Sequence, residues 1–137
     1  MRVDWAIPCK YAEVNGTLAT IVGAQVDSVR VAEFPIRLST FVALRLVFDD
    51  SEASDQHEVH FKMLDPLLVQ IGERRATVML GAPNPDKQPG WEAHHLMALN
   101  LHFEATQPGT HTFELYLNER HQHTLPFSVR AVVDQLA

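Results

Sequence analysis

The sequence predicts an all-β protein, an antiparallel β-sandwich of about eight to nine strands, and three observations carry this prediction. Apolar and polar residues alternate at period two over most of the chain, as expected where successive side chains point to opposite faces of a sheet. Turn-forming residues interrupt the alternation at short intervals. Between Leu96 and Val133, successive runs repeat the same apolar phase. A closed barrel is the alternative arrangement for this number of strands.

The N-terminal region is predicted to form a hairpin followed by a short strand. Residues Arg2–Pro8 alternate and give the first strand, and Asn15-Gly16 is a strong signal for a tight turn. The segment Thr17–Val22 is rich in residues that favour strands, whereas Val26–Val31 gives a weaker signal.

The segment Ile36–Phe48 gives the longest continuous strand signal in the chain. One face is apolar throughout, and the other is partly apolar because it carries Phe41, Ala43 and Val47. Apolar residues on both faces favour a central strand, or a strand that is covered on both sides.

The middle of the chain combines polar loops with shorter strand signals. His57–Leu64 alternates cleanly and predicts a strand. Leu67–Ile71 and Ala76–Leu80 are two short candidate strands; a single helix over 67–80 is the alternative, which the β-branched residues weaken. The Pro-rich segment Ala82–Gly90 is predicted to be an irregular surface loop.

The C-terminal part is predicted to hold three strands, over residues 96–104, 112–118 and 125–130. If these strands form consecutive hairpins, Phe103 lies near Phe113, and Phe113 lies near Phe127 or Val129. The same phase would bury all of these side chains in one apolar layer.

Length and composition favour one domain spanning residues 1–137, with 46% hydrophobic residues to supply its core. Cys9 is the only cysteine, which excludes an intramolecular disulfide. The net charge of −6 argues against nucleic acid as a partner. No segment resembles a signal peptide or a membrane helix, so we expect a cytoplasmic protein without a membrane partner.

Histidines supply the candidate metal ligands. His121 and His123 are two residues apart, so on one strand both imidazoles would share a face and could chelate zinc, copper or nickel. The opposing interpretation is solvated side chains at a hairpin tip, because a closed site needs three or four converging ligands. His102 is predicted to face Glu114 across neighbouring strands; in a metalloenzyme, Glu104 or Glu114 could assist it. Because the sequence shows only pairs of histidines, we expect no bound cofactor.

Two aromatic residues are candidate contacts for a partner. Trp91 follows Pro89-Gly90 and would be either a lid over the core or a contact residue. Tyr116 is predicted on the outer face of its strand. Together these rings could also line a face that binds a carbohydrate or another small ligand, which the sequence neither supports nor excludes.

Segments at both ends of the chain resemble a family of small bacterial proteins of unknown function. The segments are MRVDWAIPCKYAEV with LATIVGA near the start, and PGTHTFELYL with LPFSV near the end. The closing segment also resembles the last strands of immunoglobulin-like sandwiches, although that pattern is generic. The resemblance implies an all-β, cytoplasmic bacterial protein and assigns no catalytic residues.

The leading functional hypothesis is a non-catalytic module that binds another protein or a second copy of itself. It depends on the scarcity of converging reactive groups and on exposed strand edges, which are templates for pairing. The alternative is a histidine-dependent metal-binding protein or metalloenzyme with a barrel-like fold.

Overall fold

The computed structural model describes residues 1–53, 55–80 and 92–132. Within those ranges nearly every element is a strand, which confirms the all-β prediction. The strands are β1 (Arg2–Asn15), β2 (Leu18–Ala24), β3 (Ser28–Val31), β4 (Ile36–Phe48), β5 (Gln56–Leu64), β6 (Gln70–Met79), β7 (Ala93–Ala105), β8 (Gly109–Leu117) and β9 (Arg120–Ala131). A 3-10 turn, Asp50–Glu52, precedes β5. No helix in these ranges has the length and apolar character needed to cross a membrane.

The strands form two sheets. The first has the order β2-β1-β4-β7, and the second has the order β3-β9-β8-β5-β6. Neighbouring strands are antiparallel, as predicted, with one exception in the described residues: the short strand β3 runs parallel to β9. The predicted run of hairpins through β7, β8 and β9 is wrong at its first step, because β7 and β8 belong to different sheets.

The inner faces of the two sheets share one hydrophobic core. Phe113 of β8 lies at its centre, 5.4 Å from Phe103 and 5.5 Å from Phe127 between ring centroids. Both contacts were predicted, but Phe103 reaches Phe113 across the core and not along a hairpin. The division into sheets also makes the predicted pairing of His102 with Glu114 wrong, since His102 lies opposite Ser39 of β4.

The segment after β5 differs from both predictions. Residues 70–79 form one continuous strand, neither two short strands nor a helix. The Oδ1 atom of Asp65 accepts hydrogen bonds from the backbone amides of Leu67 and Val69, each at 2.9 Å. These bonds hold residues 66–69 in a tight loop, so the strand begins only after Val69.

The N-terminal hairpin, residues 9–24, folds back over the outer face of its own sheet. It turns at Gly16, which has a positive φ of 63°, as the sequence predicts. A second, smaller core lies beneath the hairpin and contains the buried residues Cys9, Ala12 and Ala43. Because these side chains are small, the hairpin backbone can approach the sheet closely. The first sheet is therefore strongly curled.

Candidate functional site

The outer face of the second sheet carries a cluster of polar and aromatic side chains that point away from the core. Inward residues such as Phe61 and Leu115 alternate with outward ones along β5 and β8, which places residues of four strands side by side. We call this cluster the Tyr116 face; its members are His60, Lys62, Glu73, Arg75, Glu114, Tyr116 and His121.

The half-buried ring of Tyr116 is the centre of this face. The Nζ atom of Lys62 lies 4.8 Å from the ring centroid, within the range of a cation–π interaction. The His121 ring packs edge-on at 5.4 Å, and the His60 ring lies at 6.1 Å between centroids. A cavity of about 200 Å³ opens beside the ring and is bordered by His60, Lys62, Arg75, Tyr116 and Glu119.

A carboxylate fixes each of the two histidines beside Tyr116. The Nε2 atom of His60 donates to Oε2 of Glu73 at 2.8 Å, and His60 itself is only 6% exposed. This hydrogen bond, together with the charge of Arg75, lowers the pKa of the Glu73 carboxyl below its ordinary value. On the other side of the ring, Nε2 of His121 donates to Glu114.

The structure places His121 and His123 on different partners. The register shift between Leu115 and Tyr116 lets Tyr116 face His121 while Leu115 faces His123. His121 therefore joins the Tyr116 face. The Nε2 atom of His123 instead donates to the backbone oxygen of Val3 at 3.0 Å. The register shift leaves Gln122 of β9 without a partner on β8, and the spacing of the two histidines gave no sign of this irregularity.

The remaining site predictions concern a metal site, Tyr116 and Trp91. In the described ranges, no group of three or more His, Cys, Asp or Glu side chains could hold a metal ion. Tyr116 lies on an outer face, as expected, while its contact with a partner stays a prediction. Trp91 falls outside the described residues.

Sequence reasoning missed a second candidate site, which lies under the tip of the folded-back hairpin. We call it the hairpin cavity; it measures about 530 Å³ and is lined by Trp5, Gly16, Thr17, Arg45, His94, His95 and Leu96. Trp5 pairs with Arg45, which in turn pairs with Leu96, so three adjacent strands bring these residues together. The sequence contains these residues but gives no sign that they meet, because the register of three strands brings them together.

Two electrostatic features mark the hairpin cavity: an ion pair of Arg45 and a lowered pKa of His95. The Nη1 atom of Arg45 lies 3.5 Å from Oδ2 of Asp4, and both side chains remain partly exposed. Burial lowers the pKa of the His95 imidazole, which favours its neutral form. The cavity thus combines an indole, a guanidinium and the imidazole of His94, since the neighbouring His95 side chain points to the opposite face of β7.

Comparison with known proteins places this chain in a family without an assigned function. A family of unknown function, DUF6941, matches residues 4–130, and the chain belongs to that family. The expected membership of a family of unknown function is thereby confirmed. Neither the curated proteins nor the solved structures contain a match to this chain.

Proposed function

We propose that this protein is a non-catalytic binding module that docks a protein partner on the Tyr116 face. The observation that carries the proposal is the fixed arrangement of Lys62, His60 and His121 around one half-buried tyrosine ring. A tyrosine offers a large contact area and has few rotatable bonds, so ordering it on binding costs little entropy. Such rings are frequent among the residues that dominate protein interfaces.

The polar groups around the ring support the same function. The cavity beside Tyr116 has Lys62 and Arg75 on its border, with Glu119 also present. Arg75 is held by Glu58 at 2.6 Å and by Glu73 at 3.8 Å, so its guanidinium is already oriented. Oriented donors of this kind suit a carboxylate side chain from the partner, because charge-assisted hydrogen bonds are the stronger ones.

Capture of the partner from cells, followed by calorimetry with the purified partner, tests the proposal. Tyr116→Ala is expected to weaken binding about 30-fold or more, the effect of a central interface residue. Tyr11→Ala provides the matched control, since Tyr11 is the other tyrosine and lies exposed on the hairpin. A partner that binds wild type and Tyr116→Ala equally well, or failure to capture any partner, would overturn the proposal.

A second candidate function is self-association through β2, and a specific observation favours it. This strand lies at the edge of its sheet, carries no charged residue, and exposes Leu18 (74%) and Val22 (51%). Charged residues normally protect such edges against pairing with another chain. Antiparallel pairing of two copies about Thr20 would set Leu18 of each copy opposite Val22 of the other.

Sedimentation or light scattering over a wide range of protein concentration tests self-association. The wild-type chain is expected to form dimers, and Val22→Lys is expected to return it to monomers because a charge is placed on the paired edge. Leu67→Lys is the control, since Leu67 is even more exposed than Val22 and lies in the loop between β5 and β6 of the other sheet. A wild-type chain that is strictly monomeric at every concentration rules this candidate out.

A further inference from the structure

The hairpin cavity has the size and chemical lining of a site for a small molecule. Its volume of about 530 Å³ falls within the range of roughly 300–1,000 Å³ that is typical of ligand pockets. The tip of the hairpin, Gly16 and Thr17, forms one wall, and residues of β1, β4 and β7 form the opposite side. A cavity beneath a folded-back hairpin is held by the strands around it, which limits the cost of ordering it when a ligand binds.

Two side chains define which ligand fits. Trp5 provides a flat apolar surface on which a planar ring can stack. Arg45 directly neighbours Trp5 across the strand pair and presents a guanidinium, whose planar fork matches the geometry of a carboxylate. Asp4 engages Arg45 through one nitrogen at 3.5 Å, which is longer than a strong hydrogen bond.

The other polar residues of the cavity are compatible with this ligand. His94 lies on the border on the same face of β7 as Leu96, and its imidazole can donate or accept hydrogen bonds. Among the described residues, the carboxylate that pairs with the arginine is that of Asp4, and it would oppose an anion while also orienting the guanidinium. The arginine is therefore expected to decide between an acid and its neutral analogue.

We propose that the hairpin cavity binds a small planar aromatic carboxylate, with the ring stacked on Trp5 and the carboxylate paired with Arg45. This site is separate from the Tyr116 face, which belongs to the other sheet, and it does not depend on the function proposed there. The geometry of Trp5, Arg45 and Leu96, which lie side by side on three strands, carries the inference.

Titration of the isotope-labelled full chain with 2-naphthoate, followed by amide NMR spectra, tests the proposal. We expect saturable shifts at Gly16, Thr17, His94 and Leu96, and affinity about tenfold higher than for the neutral isostere 2-naphthamide. Trp5→Leu is expected to weaken both probes, because both lose the stacking surface. Arg45→Gln is expected to remove the preference for the acid.

Matched variants protect the test against simple unfolding. Arg37→Gln changes the same residue type on the same strand outside the cavity, and it should keep the preference for the acid. Asp4→Asn should tighten binding of the acid severalfold, because it removes the opposing charge. Equal affinity for acid and amide in the wild type, shifts confined to the Tyr116 face, or the absence of saturable shifts would each overturn the proposal.

Discussion

His123 of β9 hydrogen-bonds to the backbone of Val3 of β1 and so connects the two sheets. Its Nε2 atom lies 3.0 Å from the oxygen of Val3, and the amide of the same valine donates to Oε1 of Gln122 at 3.0 Å. The pairing of β1 with β4 shifts register between Val3 and Trp5, so the side chains of His123 and Gln122 bind β1 at this irregularity. The polar groups of the valine are therefore satisfied by the opposite sheet.

Loss of this connection is expected to destabilise the protein. His123→Ala should lower the free energy of unfolding by about 1–3 kcal/mol, because it removes the hydrogen bond that the His123 ring donates to the oxygen of the buried Val3. Urea unfolding measures the change. His121→Ala is the control, and its cost should stay below about 1 kcal/mol because its partner bond lies at the surface. Equal losses for the two variants would contradict the role assigned to His123.

The aromatic centre of the core sets a larger expected effect. Phe113 is fully buried between Phe103 and Phe127, so Phe113→Ala removes a ring and leaves a cavity. We expect a loss of about 3–5 kcal/mol in the free energy of unfolding. Glu114→Ala, on the next residue of the same strand, points outward and should cost much less. A loss below about 1 kcal/mol for Phe113→Ala would show that this ring is not part of the core.

The turn between β8 and β9 offers a stabilising substitution. Both Asn118 and Glu119 have positive φ, at 50° and 67°, and a glutamate is strained there. Glu119→Gly should therefore raise the free energy of unfolding by about 1 kcal/mol, as measured by urea unfolding.

Asn118→Gly is expected to have the opposite effect, although it relieves the same backbone strain. The Asn118 side chain accepts from the Glu58 amide and donates to Nδ1 of His57, both at 2.9 Å. Loss of these bonds should outweigh the gain from glycine. If both glycine variants are stabilised alike, the bonds from the asparagine contribute little.

Stability is expected to fall as the pH falls through the range in which His95 titrates. Burial lowers the pKa of folded His95 below its ordinary value of 6.5, so the unfolded chain binds the proton more readily. The contribution is fully present above pH 6.5 and is lost progressively below it, down to the lowered pKa of the folded state.

Urea unfolding of wild type and His95→Gln, at about pH 7.5 and 5.5, measures this dependence. The variant should lose less stability than wild type between the two conditions. His94→Gln is the control, because His94 is exposed on the neighbouring position. Identical losses in both variants would mean that burial of His95 does not produce the effect.

Strand positions were predictable because they depend on local alternation. The bounds of β4, Ile36–Phe48, match the segment predicted from its apolar faces. The separation of β7 from β8 was not predictable, because the same alternation suits strands in one sheet or in two facing sheets. The sequence pointed to Tyr116, His121 and Glu114 separately but not to the Tyr116 face as a cluster, since residues of four strands meet there through the order of the strands.

The hairpin cavity was beyond sequence analysis for a related reason. Trp5 and Arg45 are distant in the chain, and their meeting depends on the register of β1 with β4. The fold-back of the hairpin depends in turn on small side chains at Ala12 and Ala43, and alanine at those positions carries no distinctive signal in the sequence.

The burial of Cys9, the only cysteine in the sequence, allows its reaction rate to report on opening of the hairpin. Its sulfur is wholly enclosed beneath the hairpin, and burial raises the pKa of the thiol, so a water-soluble alkylating reagent should meet it only after the hairpin lifts. The rate of alkylation in native buffer then reports how often that segment detaches. A ligand bound under the hairpin should slow alkylation of Cys9, so binding can be detected without a fluorescent label.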